Sequence, residues 1–444
     1  MHIERILLRD IGPFDDTTIE LPKGGDPALA DVYLLTGPNG SGKSTILYAL
    51  AAVISGGREQ LGLDLLARRM RSATAMAAVQ TDTGESFTTV QRDHQSSAHP
   101  AAPPNPFGGP PLSEAASTVE LTHFGPDGES RRYSRRAAKF LAHKVAGANL
   151  AFDWAAFAYA GVRPMSDINI TAIQEPKTNP FENSLSFLQS TDTNLLANWI
   201  VNQDYRRLKA KDSGNSKRAD QIADSVRSIE QIIAEIVGDP SFAFVITDRD
   251  VHVRWQGVTV HLGVLPDGLQ SIVSWIADLL MRLDRIPWQG DLPVQERRFL
   301  LLLDEIDIHL HPAWQRKVLP LVQRVFPNAQ IIASTHSPFV VGSLANGRII
   351  ELGLEGSTAF VRRGDTKPQL GVSCSSVLRS IFGIESEFDI DTERKLRQLQ
   401  DARARLLTGD EAARTEVDLV AAELAQRSDE LRELVARELA RPRP

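Results

Sequence analysis

At 444 residues the chain is about three times the usual single-domain length, which fits one elaborated domain or two to three smaller ones. Its 49 basic and 56 acidic residues leave a net charge of −7, and 42% of residues are hydrophobic, so global disorder and collagen-like structure are excluded. A single cysteine, Cys374, excludes an intramolecular disulfide framework and a multi-cysteine zinc site.

The opening MHIERILLRDIGPF offers no signal-peptide core, and the long apolar stretch 271–283 is interrupted by Asp278 and Arg282. A cytoplasmic chain with no membrane partner is the expectation. Residues 2–9 and 16–21 read as short strands split by Gly12-Pro13, and 31–36 (DVYLLT) as a third strand ending at a glycine. Residues 44–54 are rich in Ala, Leu and Ile and stop at Ser55-Gly56-Gly57, which predicts a helix. From about 75 to 133 the pattern is short β-like segments, with turns at Thr83-Gly84 and Pro126-Asp127-Gly128. Between them, 96–111 is too rich in Pro, Gly and Ala to pack and reads as a flexible insertion. Apolar residues at helical spacing over 194–237, broken at 212–217, predict a helical hairpin. Strands are expected again at 242–246 and 251–255, then a helix over 269–283. Beyond Gly383 the chain reads as charged amphipathic helix, with stripes at Leu396, Leu399 and Leu406 and at Leu424, Leu431, Leu434 and Val435. Either a helical cap or a surface for a second protein fits that tail.

The sharpest motif is Gly37-Pro38-Asn39-Gly40-Ser41-Gly42-Lys43-Ser44, a G-x-x-x-x-G-K-S loop between a predicted strand and a predicted helix. Gly40 and Gly42 let the backbone wrap closely around phosphate at the positive end of the helix. Lys43 would reach the β- and γ-phosphates, the Ser44 hydroxyl would ligate Mg²⁺, and Asn39, Ser41 and Thr45 complete the ATP-binding set. Much later, 299–303 is an uninterrupted apolar run ending in Asp304-Glu305, as buried parallel strands do. Asp304 at the carboxyl edge of such a strand can hold Mg²⁺, and Glu305 is placed to polarise the attacking water. A third apolar strand, 330–334, ends in Thr335-His336-Ser337-Pro338, where His336 could hydrogen-bond the γ-phosphate.

These three elements, GPNGSGKST, LLLLDEIDIHLHPAWQ and IIASTHSP, resemble the Walker A, Walker B and H-loop of ABC-type ATPases of the RecF, SMC and OLD kind, within the AAA-family ATPases. The opening strands resemble that group too, and the resemblance covers most of residues 1–350. It implies an α/β fold: a P-loop NTPase, ABC-type ATPase head with a mixed sheet, a helical insertion and a C-terminal helical tail. The division it suggests is 1–175 for the first part of the head with a β-rich lobe, 176–240 for the insertion, 241–370 for the second part, and 371–444 for the tail. It also implies a head-to-head homodimer or higher homo-oligomer, in which a signature loop closes over the partner's ATP. The matching segment is 265–271, with Asp267 and Gly268 as ATP-binding residues, but Pro266 stands where the family's phosphate-contacting serine is expected. Either Ser271 or the helix N-terminus substitutes, or closure across the dimer is weaker than the family norm. Gln174 and the turn at 159–163 are candidates for the family's glutamine loop. His309 and His311 fall in the stretch that the family uses as a D-loop at the dimer interface, which weighs against reading them as metal ligands.

The catalytic set is thus Lys43, Glu305 and His336, the metal set Ser44 and Asp304, and the cofactors ATP and Mg²⁺. Clusters at Arg131, Arg132, Arg135, Arg136 and Lys139 and at Arg68, Arg69 and Arg71 are candidate contacts for DNA. Compact heads with a short helical tail resemble the ATPase components of bacterial anti-phage defence systems such as Septu or PARIS, which act through a separate nuclease or toxin. A RecF-like DNA repair ATPase and an ATP-gated scaffold with little turnover are the rival readings.

Overall fold

Three sheets and ten helices are present among the residues described by the computed structural model, which are 1–55, 66, 68–72, 74–82, 86–91, 119–124, 130–132, 151–161, 170, 176, 178–188, 191–247, 250–368, 371–384 and 388–440. The insertion at 96–111, the two turns flanking it, Gln174, and the side chains of the Arg131 cluster lie outside the described residues. In chain order the first elements are β1 (Ile3–Ile11), β2 (Phe14–Glu20), β3 (Asp31–Thr36), α1 (Lys43–Ser55), β4 (Met76–Thr81), β5 (Ser86–Gln91), β6 (Val119–Phe124), β7 (Ser130–Arg132) and β8 (Ala155–Tyr159). A helical hairpin follows, α2 (Thr193–Asp212) and α3 (Ser216–Val237), and then β9 (Ala243–Thr247), β10 (Asp250–Trp255), β11 (Val258–His261) and α4 (Asp267–Arg285). Next come β12 (Phe299–Leu303), α5 (Pro312–Val325), β13 (Ala329–Ser334), α6 (Pro338–Ser343), β14 (Arg348–Glu355) and β15 (Thr358–Thr366). The last helices are α7 (Cys374–Ser380), α8 (Ile390–Leu407), α9 (Ala413–Arg427) and α10 (Asp429–Ala440).

The sheet that positions the site runs β15-β14-β3-β13-β12-β8. Its members β14, β3, β13, β12 and β8 are parallel, with β8 at one edge, and β15 pairs antiparallel with β14 at the other. All five residues of β12, FLLLL, are buried, and so are all six of β13, because helices or a second sheet cover both faces. The register sets Leu303 opposite both Tyr159 and Ala333, and Ser334 opposite Leu35. Three strand ends therefore finish at one level, each followed by one of the three motifs.

A second sheet, β2-β1-β4-β5-β6-β7, is antiparallel throughout. Helix α1 is apolar on nearly every side, the mark of a helix buried all round. It lies in one continuous core with Ile6 and Leu8 of β1, Val79 of β4, and Leu300, Leu302 and Ile332 of the parallel sheet. That burial fixes the direction of the helix, and so of the phosphate loop at its start. A small sheet, β11-β10-β9, stands beside the helical hairpin. This arrangement bears out the α/β fold of a P-loop ATPase head. Among the described residues, no helix is long and apolar enough to cross a membrane.

Contacts divide the chain into two compact units, Met1–Val377 and Leu378–Pro444. Within the second unit, Leu399 and Ala402 of α8, Val417, Val420 and Leu424 of α9, and Val435 of α10 share one core, flanked by Leu396 and Leu406. Much of the two apolar stripes is thus used up inside the tail itself.

Inside the first unit, Asp278 of α4 is 1% exposed and accepts from Arg282 Nε at 2.6 Å and from Tyr159 Oη at 2.8 Å. Arg282 also donates to the carbonyls of Pro180 and Glu182, both at 2.8 Å. Helix α4 is therefore tied to the end of β8 by the Tyr159 hydroxyl on Asp278, and a buried ion pair within the helix holds that carboxylate in place. Arg282→Ala leaves a buried carboxylate uncompensated and is expected to cost about 3–5 kcal/mol in urea unfolding. The double change Asp278→Leu with Arg282→Met should recover most of that loss, and a cost below about 1 kcal/mol for the single change would overturn the account.

Candidate functional site

The phosphate loop occupies the turn between β3 and α1. Gly42 adopts φ +91°, and a Cβ there would lie 2.4 Å from the ring of Phe14, so both its conformation and its packing require glycine. Asn39 and Gly40 are exposed at the loop tip, whereas Ser41 and Thr45 are buried. Ser41 Oγ is a buried hydroxyl without a hydrogen-bond partner among the described residues. Lys43 folds back over the loop, and its Nζ donates to the carbonyls of Gly37 at 3.0 Å and Pro38 at 3.1 Å. Burial lowers the Lys43 pKa, against the pull of Asp304, Glu305 and Asp307.

One helical turn of α1 meets the end of β12. Ser44 Oγ donates to Asp304 Oδ1 at 3.0 Å, and Ser334 Oγ donates to the same oxygen at 2.5 Å. Ser334 Oγ accepts in turn from the Glu305 backbone N–H at 2.7 Å, so one buried hydroxyl sets both acids. Ser334 is 0% exposed at the last position of β13, and the sequence reading passed over it as the end of an apolar strand. Glu305 adopts φ +47°, a left-handed conformation that costs a non-glycine residue of order 1–3 kcal/mol and that clusters at functional sites.

The carboxylate of Asp307 organises the third strand end. Its Oδ1 accepts from Thr335 Oγ1 at 2.5 Å and from the His336 backbone N–H at 3.3 Å. Ser337 caps α6, accepting from the N–H groups of Phe339 and Val340, and donates to Gln315 Oε1 at 2.7 Å. The His336 ring is thereby left at the accessible rim, where desolvation, then the neighbouring Lys43 charge, lowers its pKa.

Strand β8, an Ala-rich segment that the sequence reading did not single out, lies beside β12, so the chain leaving it runs past the acids. A Cβ on Gly161 would lie 2.6 Å from Glu305 Cβ and 2.9 Å from its Oε2, so the absence of a side chain there makes room for Glu305. Of the glutamine-loop candidates, the turn beginning at Tyr159 borders the acids. On α1, Tyr48 is held edge-on to Phe187 with ring centroids 4.6 Å apart, and its pKa is pushed up to about 12 by burial and then by Asp304.

The remaining sequence candidates fall elsewhere. Asp267 and Gly268 open α4, where a Cβ on Gly268 would lie 2.6 Å from the His309 carbonyl. No hydrogen bond joins them to the phosphate loop among the described residues. Ser271 is 3% exposed, and at the first turn of α4 Pro266 supplies no side-chain cap. His311 Nδ1 accepts from the Ala313 N–H at 3.2 Å as the N-cap of α5, a structural use for that ring. Two of the three clustered arginines are engaged within the chain. The Arg69 guanidinium stands 4.6 Å from the centroid of the Tyr48 ring, and Arg71 donates to the Phe14 carbonyl at 2.6 Å and pairs with Asp15.

A phosphate-binding loop, a Ser44–Asp304 contact and a histidine at three adjacent ends of a parallel sheet define a P-loop ATPase. The family described as "AAA domain, putative AbiEii toxin, Type IV TA system" matches residues 166–342, and one described as "AAA domain" matches residues 5–98. Among named proteins, the chain is similar to the Septu protein PtuA of Bacillus thuringiensis, with 35% identity over 116 residues, 26% of this chain and 29% of that protein. It is also similar to the Retron Ec83 probable ATPase of Escherichia coli, with 34% identity over 100 residues, 22% of this chain and 18% of that one. The matches thus span less than a third of either relative. A solved SMC head bound to the C-winged helix domain of ScpA aligns with a TM-score of 0.45 and 14% identity, over 81% of this chain and 97% of that one.

The environment of His336 has a measurable consequence. Its folded pKa is depressed, so the ring stays neutral down to a lower pH than a free histidine and gains its proton only below the ordinary 6.5. An NMR titration of the nucleotide-free protein is expected to place the His336 midpoint under that value. Lys43→Ala, which removes the neighbouring cation, should move the midpoint upward. A midpoint at or above 6.5 would contradict the geometry.

Proposed function

We propose that the chain binds ATP with Mg²⁺ at the phosphate loop and hydrolyses it in a head-to-head dimer, as the sensor or assembly ATPase of an anti-phage defence system whose separate effector is a nuclease or toxin. The observation that carries the catalytic part is the convergence on Asp304, where the hydroxyls of Ser44 and Ser334 meet one carboxylate oxygen. The Ser44 hydroxyl and the Asp304 carboxylate are hard oxygen donors, a set that fits a magnesium ion. When bound, that ion would neutralise charge on the phosphates. The chain's own part is to cradle the phosphates with the backbone N–H groups of residues 39–45, while Lys43 exchanges its two carbonyl partners for phosphate oxygens. Glu305, held in its left-handed conformation, would orient and deprotonate the attacking water, and neutral His336 would hydrogen-bond the terminal phosphate.

For the dimer, the supporting feature is the start of α4. Its first-turn N–H groups have no side-chain cap, so they could meet a partner's nucleotide without the missing serine. Similarity to Septu and retron ATPases supports the defence reading.

Lys43→Ala is expected to abolish ATP binding. Glu305→Gln should bind ATP, lose about a hundredfold or more in turnover, and accumulate the dimer. Gly161→Ala pushes against Glu305 and should cut turnover about tenfold with ATP affinity almost unchanged, which separates positioning of the base from binding. Phosphate release, nucleotide binding and native mass spectrometry read these outcomes. Undiminished turnover in Glu305→Gln would remove the catalytic assignment. Purification of Glu305→Gln with ATP after expression beside its native neighbouring genes tests the wider role: a co-purifying nuclease or toxin is expected, and a homodimer retaining only DNA would favour repair.

A further inference from the structure

A polar cavity of ≈ 550 Å³ lies at the opposite end of α4 from Gly268, bounded by the helical hairpin and by Pro176, Thr178 and Pro180. At 1.5 Å per residue the two ends of that helix are roughly 25 Å apart, so the cavity is separate from the signature segment. We propose that it binds a small, multiply charged anion of nucleotide size, a phosphorylated compound that also carries hydroxyl or amino donors.

The volume falls within the range of small-molecule sites, about 300–1,000 Å³. Among the described residues, the wall carries the cations Arg206, Arg218 and Arg285 against the single carboxylate of Asp284. Asp284 is already committed: it accepts from Ser225 Oγ at 2.9 Å and from Gln203 Nε2 at 3.1 Å. Arg285 is braced by the carbonyls of Pro176 at 3.0 Å and Thr178 at 2.5 Å. Arg218, in the exposed first turn of α3, makes no side-chain hydrogen bond or ion pair among the described residues, and its planar fork suits phosphate oxygens.

Two buried amides give the second half of the argument. Asn202 is 5% exposed and Gln203 is 4% exposed, and both line the cavity. Donation by Gln203 Nε2 to the Asp284 carboxylate fixes the orientation of the amide, which leaves Oε1 buried without a partner. The Asn202 side chain makes no hydrogen bond among the described residues and stands beside it on the cavity wall. Native interiors rarely leave a buried oxygen such as that of Gln203 unsatisfied, and a ligand offering an N–H or O–H donor would complete it. Phosphate on the arginine side and donors on the amide side together describe a nucleotide or a sugar phosphate. Such a ligand would press on the helix whose first turn carries Asp267 and Gly268, which gives it a route to the dimer surface.

Equilibrium dialysis of radiolabelled inorganic pyrophosphate against the full-length Lys43→Ala chain tests this with the phosphate loop disabled. One saturable site is expected, weakened about tenfold by adding Arg218→Glu. Arg218 is solvent-exposed, so its replacement leaves folding intact, and thermal melting checks the variant. Binding lost with Lys43→Ala alone, binding indifferent to Arg218→Glu, or no saturable binding at millimolar pyrophosphate would each overturn the proposal. Displacement of pyrophosphate by a short DNA duplex at lower phosphate concentration would also overturn it and assign the cavity to nucleic acid. ATP binding to the otherwise wild-type chain reports separately on the phosphate loop: it should be lost with Lys43→Ala and kept with Arg218→Glu.

Discussion

The position of the Asp304 carboxylate is the constraint on which the rest of the site depends. A carboxylate at 5% exposure must be hydrogen-bonded to be tolerated, and here two serine hydroxyls from different elements meet one of its oxygens. One of those elements is α1 and the other is β13, so satisfying a single acid joins the phosphate loop to the sheet. The same Ser334 hydroxyl receives the Glu305 N–H and so places the second acid. Loop, acid pair and histidine strand form one hydrogen-bonded unit.

Packing holds that unit in place from both sides. Helix α1 is buried between two sheets and cannot rotate without tearing apolar contacts from each. On the far side, the chain leaving β8 passes so close to Glu305 that only a glycine fits at 161, and Tyr159, two residues earlier, is hydrogen-bonded to the buried Asp278 of α4. A path of direct contacts therefore runs from the acids to α4. That helix also carries Asp267 and Gly268 at one end and borders the arginine-lined cavity at the other.

The phosphate loop was legible because its glycines, lysine and serine are demanded by local backbone geometry and phosphate chemistry within eight residues. The FLLLL strand with its two acids and the strand before His336 were legible for a similar reason: burial on both faces leaves an unbroken apolar run. Strand β8 was not, since AAFAY is short and Ala-rich and gains its strand character from pairing with β12. Ser334 looked like the polar end of a strand, and nothing local marks it as the partner of two acids. Arg69 and Arg71 read as a basic patch from their spacing, but their guanidinium groups are engaged by an aromatic ring and by Phe14 and Asp15, more than twenty residues away in sequence.

The sequence by itself determined the nature of the chemistry: which residues can hold phosphate, which acids stand at strand ends, and that the fold is a P-loop head, because these depend on patterns a few residues long. The tertiary structure alone decided which hydroxyls meet Asp304, that Gly161 makes room for Glu305, that Gly268 lies against the His309 backbone, and that three arginines and the unsatisfied amide oxygen of Gln203 share one cavity. Those relations join residues tens to hundreds of positions apart. Close packing and the obligation to satisfy buried polar groups set them once the strands have found their order.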